Sequence, residues 1–150
     1  MNDHRFCFII CVSDELYKEE CLLYLNALDI PEGYSIDIMT IEGAPSMCAG
    51  YNAAMAASDA KYKIYLHQDV FIRERTFLQR ILDVFEDSSI GMIGMVGTEQ
   101  LSRDGVMWNG QRVGAFPGLQ EMLDKNEISD FENLGSGIRD VMTVDGMLVA

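Results

Sequence analysis

A chain of 150 residues, 49% apolar and 23% charged, fits one domain with a real core and falls outside the composition of disordered segments. Its net charge of −13 disfavours sequence-independent binding to DNA, RNA or anionic membranes, whose phosphates it would repel. A nucleotide-type ligand would therefore need a cation or a helix N-terminus to offset its phosphates.

Asn2-Asp3-His4-Arg5 leads into an apolar run of about eight residues, too short to span a bilayer and without the pattern of a signal peptide. Phe6 to Val12 is continuously apolar and stops at Ser13-Asp14, which predicts a strand buried on both faces, as in parallel sheets. Ser13 or Asp14 can cap the helix that follows, and Glu15 suits the positive end of its dipole. Tyr17, Cys21, Tyr24, Leu25 and Leu28 give that helix an apolar stripe, and Pro31 and Gly33 end it.

Tyr34 to Ile41 predicts a second strand, followed by a turn at Glu42-Gly43-Ala44-Pro45. Ser46 then opens a helix that runs to about Ser58. No residue from Gly43 to Ser58 carries a formal charge, so this helix is expected to be covered on more than one side, by a ligand cleft or by a larger assembly. Tyr62 to Leu66 is the third strand and runs on into His67-Gln68-Asp69-Val70. Glu74 to Phe85 is an amphipathic helix with Phe77, Leu78, Ile81, Leu82 and Phe85 inward.

Ile90 to Val96 predicts a fourth strand. The glycines at 91, 94 and 97 do not open a helix, so they are no dinucleotide fingerprint and are expected to allow close packing instead. Beyond Thr98 the pattern loosens into a polar loop carrying Trp108 and a short helix around Leu119 to Asp124. From Val141 it gives strand, a tight Asp145-Gly146 step and more strand. Because the sequence closes on the apolar Met147-Leu148-Val149-Ala150, an element truncated at its C-terminus is expected. Strands alternating with helices predict a single α/β domain over residues 1–150, with a mostly parallel sheet flanked by helices.

The four cysteines contain no Cys-x-x-Cys pair, which argues against a zinc ribbon. All four are expected as reduced core residues in a cytoplasmic compartment. In open parallel sheets ligands bind outside the carboxyl ends of the strands. Those ends are Ser13-Asp14, Glu42, His67-Gln68-Asp69 and Thr98-Glu99. On an extended segment His67 and Asp69 would point to one side and could face one ion of the Mn²⁺ type. The alternative is a histidine satisfied by a backbone carbonyl and an aspartate capping the next turn. Trp108 could stack on a sugar or base, or cover the edge of the core; Tyr51 and Tyr65 read as packing.

With these residues in view, the chain from about Phe8 to Ala150 resembles the N-terminal, donor-binding part of a GT-A-fold glycosyltransferase. It is most similar to the glycosyltransferase-like branch near family 2, which includes streptomycin-biosynthesis-type proteins. Cys11-Val12-Ser13 matches the strand that ends in a polar nucleotide contact, and Glu42 stands where an acidic residue reads uridine. The neutral helix bearing an Asn is Gly50-Tyr51-Asn52-Ala53-Ala54-Met55. Leu66-His67-Gln68-Asp69-Val70 stands where a Leu-Asp-x-Asp-Asp motif holds the metal, with Asp69 the one carboxylate kept. Val144-Asp145-Gly146 matches a later Val-x-Gly strand.

The resemblance implies a Rossmann-like GT-A nucleotide-diphospho-sugar transferase fold. It further implies a UDP-type donor bound through Mn²⁺ or Mg²⁺ on Asp69 and His67, with Ser13, Glu42, Asn52 and Gln68 as substrate contacts. Asp145 is the acid nearest the expected acceptor side, for catalysis or for positioning the sugar, and the acceptor is unspecified. The base-bearing half is expected beyond residue 150, so the alternative is a catalytically incomplete nucleotide-sugar-binding or interaction module. Apolar surface left bare by missing elements is expected to drive assembly into a homo-oligomer.

Overall fold

The computed structural model describes residues 1–150. The chain divides into two compact units, one made of residues 1–92 with 146–148 and 150, the other of residues 93–145 with 149.

The first unit is built on strand β1 (Asn2–Val12), helix α1 (Glu15–Asn26), β2 (Ser35–Glu42), α2 (Met47–Ala57), β3 (Ala60–His67) and α3 (Phe77–Phe85). β1 is central and parallel to both neighbours, pairing Phe6–Ile36 on one side and Phe6–Tyr62 on the other. The strand order is β2-β1-β3, with β8 (Leu148–Val149) beyond β3. Parallel strands covered on both faces need apolar side chains at successive positions, and Phe6 to Ile10 are all fully buried. Alternate residues serve opposite faces. Cys7 and Ile9 pack with Ala54 of α2 and with Met39, Ile41, Tyr51 and Tyr65. On the other face the Phe6 ring stacks on Tyr62 at 5.0 Å, and Tyr62 meets Phe85 of α3 at 5.8 Å. Of the stripe expected on α1, Cys21, Leu25 and Leu28 are buried, whereas Tyr17 is exposed.

Helix α2 lies close against the sheet because Gly50 has no side chain. A Cβ there would stand 2.9 Å from Cys11 Sγ and 3.3 Å from Ile41 Cγ2. The helix buries only Gly50 and Ala54, and its other, uncharged face is open. Among the cysteines, Cys7 and Cys21 are buried, Cys11 is half-buried and Cys48 is exposed, which corrects the expectation of four core residues.

The second unit holds β4 (Val96–Thr98), β5 (Arg112–Gly114), α4 (Leu119–Asp124), β6 (Phe131–Asn133) and β7 (Thr143–Val144). Its sheet has the order β6-β5-β4-β7. The expected fourth parallel strand over Ile90–Val96 is not formed. The ladder begins at Val96, and β4 runs antiparallel to β5 and β7. Glycine weakens a strand interior, and here Gly94 is occupied with packing: a Cβ on it would meet Val144 Cβ at 2.5 Å. A Cβ on Gly97 would meet the Thr143 carbonyl oxygen at 2.6 Å, whereas Gly91 has open space. Close packing thus explains two of the three glycines. The α/β class and the mostly parallel principal sheet flanked by helices stand as expected, and α4 occupies its predicted place. No helix is long and apolar enough to cross a membrane.

Candidate functional site

In the order β2-β1-β3 the chain leaves β1 to one side and returns to its other side, so the strand order reverses at β1. The crevice expected at such a point is present as an open cleft of about 610 Å³, a volume typical of small-molecule sites. Its walls come from the end of β1 (Cys11, Val12, Ser13) and the end of β2 with the following turn (Ile41, Gly43, Ala44). The start of α2 (Ser46, Met47, Tyr51) and the end of β3 (His67, Gln68, Asp69) complete it. A depression of similar size on the outer face of α1, lined by Leu16, Leu23 and Tyr24, contains no strand end and no polar group other than carboxylates and the tyrosine hydroxyl.

The sequence dictates how β3 delivers its residues. Leu66 is the last fully buried residue, and the strand ends at His67. The Val70 N–H then turns back to the His67 carbonyl at 3.1 Å, so Gln68 and Asp69 form a turn. This changes the premise drawn from the sequence: His67 and Asp69 do not share one side of an extended segment. They still line the same cleft, Asp69 with an exposed carboxylate and His67 half-buried. The Nε2 of His67 is buried and has no hydrogen-bond partner.

Gln68 joins the turn to the end of β1. Its Oε1 accepts the N–H groups of Ser13 at 2.8 Å and Asp14 at 3.0 Å, and its Nε2 donates to Ser13 Oγ at 3.0 Å. Asp14 caps α1, accepting from the N–H of Leu16 at 2.9 Å and of Tyr17 at 3.4 Å. On the far side of the turn the Cys21 thiol donates to the Val70 carbonyl at 3.5 Å. Burial first, and then the Asp69 charge, push that thiol up to about 11. Tyr51 forms part of the cleft wall, donating its hydroxyl to the Leu66 carbonyl at 3.1 Å and meeting Tyr65 edge-on at 5.1 Å. Burial pushes the Tyr51 phenol up to about 12.

The remaining expected site residues are placed as follows. Glu42 lies between the lining residues Ile41 and Gly43 but is engaged by Lys18, whose Nζ stands 3.0 Å from it and 2.7 Å from Glu15. Hydrogen bonds to Glu15 and then Glu42 raise the Lys18 pKa. Asn52 is exposed on α2 and does not line the cleft. Asp145 belongs to the second unit, half-buried, with its N–H donating to the Val96 carbonyl at 2.8 Å. Trp108 is also in that unit, where the Arg112 guanidinium lies 5.6 Å from its ring and 5.7 Å from that of Phe131.

Nothing in the sequence marks Lys18 as a partner of Glu42, or Ser46 and Tyr51 as walls of the cleft. Lys18 looks like any exposed helical charge, and nothing local marks its partner 24 residues away.

Residues 7–150 match the model of the glycosyltransferase-like family. The chain belongs to this family. No curated protein matches it. The cleft at the strand ends lies within this glycosyltransferase-like domain of GT-A type. No three or more His, Cys, Asp or Glu side chains come together in a way that could hold a metal ion. A site made by protein ligands alone is therefore not built here. The residues do fit the kind in which one or two protein ligands share a Mg²⁺-type ion with substrate phosphates. Asp69 presents an exposed carboxylate for that role, and the unpartnered Nε2 of His67 is a second donor. That nitrogen is buried, so an ion in the cleft meets it only if the side chain moves.

Proposed function

We propose that this domain binds a nucleotide-diphospho-sugar in the cleft at the ends of β1 and β3, through a divalent cation on Asp69, and transfers the sugar to an acceptor. One observation carries the reading. The lining of the cleft includes the single carboxylate Asp69 and neither Lys nor Arg, so no permanently cationic side chain there meets a diphosphate. Asp69 would hold a Mn²⁺ or Mg²⁺ ion, which when bound would neutralise the phosphates and stabilise a nucleoside diphosphate as leaving group. In a protein of charge −13 a cation is also the simplest way to admit an anionic donor.

The chain's own residues then have separate tasks. Asp69 would hold the ion, with the Nε2 of His67 as a second donor in the lining. The backbone of Ser13 and the walls formed by Ile41, Ala44, Met47 and Tyr51 shape a slot for the nucleoside. Glu42 at the end of β2 is the candidate reader of a uracil, with Lys18 fixing its carboxylate. Asp145 is the candidate group for positioning the transferred sugar or for taking the acceptor proton.

A second reading is favoured by the same lining. Transfer to a hydroxyl needs a base to take its proton, and the only carboxylate in the cleft is the one assigned to the ion. Under that reading the domain binds the donor without turning it over. The test is a thermal melt with UDP or a UDP-sugar. A rise in Tm is expected only when Mn²⁺ or Mg²⁺ is added, and Asp69→Ala removes it. No metal-dependent shift with any nucleotide refutes both readings, and detectable transfer or donor hydrolysis refutes the second.

A further inference from the structure

We infer that Gln68 is a positioning residue rather than a ligand contact: its carboxamide ties the Asp69 turn to the Ser13–Asp14 loop and thereby fixes where Asp69 meets a cation. The inference rests on the reading of the cleft given above and assigns to that site a part that sequence alone did not give.

Both acceptor positions of the Gln68 oxygen are occupied, by the Ser13 and Asp14 N–H groups, and its nitrogen donates to Ser13 Oγ. A direct contact with substrate through that oxygen would have to displace two backbone donors. A tie uses all three bonds as they stand. The turn is held on its other side as well, because the Val70 N–H bonds back to the His67 carbonyl and the Val70 carbonyl accepts the Cys21 thiol. Asp69 thus lies between two anchored residues while its own carboxylate takes part in none of these bonds. A turn pinned on both sides of one exposed carboxylate is what a cation site with few protein ligands requires. An ion with so few protein ligands depends on their being held in place, and loss of such outer support typically costs 10- to 100-fold in metal affinity, a loss of about 10-fold being expected here.

The substitutions follow from the bonding. Gln68→Met keeps the volume and removes all three hydrogen bonds. Gln68→Glu keeps both backbone bonds on one oxygen and can accept the Ser13 hydroxyl on the other. The first measurement is amide hydrogen exchange at Ser13 and Asp14 in the ligand-free protein, which should speed up in Gln68→Met and stay slow in Gln68→Glu. The second is Mn²⁺ binding in the presence of UDP, followed by the paramagnetic signal of the free ion. About tenfold weaker binding is expected for Gln68→Met, with Gln68→Glu within about threefold of the unaltered protein.

If Gln68→Met does not fold, Gln68→Asn carries the same expectation, being one methylene too short to reach both N–H groups. Unchanged exchange or unchanged Mn²⁺ affinity in the Met variant overturns the inference and leaves the cleft reading standing. Equal losses in the Met and Glu variants also overturn it, since they would show the amide itself on the ligand. Absence of metal-dependent UDP binding in the unaltered protein overturns the cleft reading and the inference together.

Discussion

Replacing Gly50 with alanine tests whether the close seat of α2 on the sheet shapes the cleft. The new methyl carbon would stand 2.9 Å from Cys11 Sγ, 3.2 Å from Ala44 Cβ and 3.3 Å from Ile41 Cγ2. All three neighbours line the cleft, and Cys11 is further held by its thiol, which donates to the Met47 carbonyl at 3.8 Å. Two effects of opposite sign compete. Alanine in a helix interior is favoured over glycine by about 1 kcal/mol. Forcing a methyl group into a filled space costs about 1–3 kcal/mol. Three contacts inside van der Waals distance, one of them under 3 Å, place the cost in the upper part of that range. The net expectation is a loss of about 1–2 kcal/mol, or a fall of about 0.5–1 M in the urea midpoint of a domain this size.

The assay is equilibrium urea unfolding of Gly50→Ala, Cys11→Ala and the double variant. Removing the sulfur makes room for the methyl, so the two changes should be less than additive by about 1 kcal/mol. A Gly50→Ala midpoint at or above that of the unaltered protein would refute the packing argument. Strict additivity in the double variant would show that the sulfur is not what the methyl meets.

Two further outcomes follow from the same interior. Cys21 is raised from 9.0 to about 11 and Tyr51 from 10.0 to about 12, so above pH 9 the unfolded chain loses these protons before the folded one does. The stability they carry is therefore complete below pH 9 and is lost as pH rises through 11 for Cys21 and 12 for Tyr51, at about 1.4 kcal/mol per unit for each group. Urea midpoints should fall between pH 9 and 11, with a shallower slope in Cys21→Ser; an unchanged slope there would dismiss the assignment. The second outcome is self-association, expected from Leu16 and Leu23 on α1, 77% and 71% exposed, and from the uncharged outer face of α2. Sedimentation velocity should show it, Leu16→Glu with Leu23→Glu should reduce it, and a clean monomer at high concentration would contradict it.

How much of this could be seen in the sequence depends on how local each signal is. Phe6 to Ile10 announce a doubly covered strand because every position is apolar, and Ser13-Asp14 announce a cap because polarity arrives abruptly. The second sheet leaves no such trace. Its strands are two or three residues long, too short for any period to show. Ile90 to Val96 misleads for a related reason: an apolar run suggests a strand, but Gly94 sits against Val144 and Met92 is 62% exposed. At the site, the rule about strand ends is enough to bring Ser13 and His67-Gln68-Asp69 together, and they line one cleft. The bonds that organise them are not visible in the same way, since Gln68 and Ser13 are 55 residues apart, and Glu42 and Lys18 pair across 24.

Charge gives the site its logic once the global and the local are separated. The net charge of −13 speaks to extended polyanions, which meet many surface carboxylates at once. A single diphosphate meets only what lies within about 8 Å, the screening distance at physiological salt. The cleft wall itself offers Asp69, the unpartnered Nε2 of His67 and neutral groups, with the Glu42–Lys18 pair beside it. One carboxylate is too little to repel a diphosphate strongly once an ion sits on it, and without that ion it offers the phosphates nothing. On the proposed reading, Asp69 gives the phosphates no attraction without metal and admits the donor with it. On this account a single change at Asp69 should remove the dependence on metal together with the binding, whereas a change at Gln68 should weaken both while leaving them coupled.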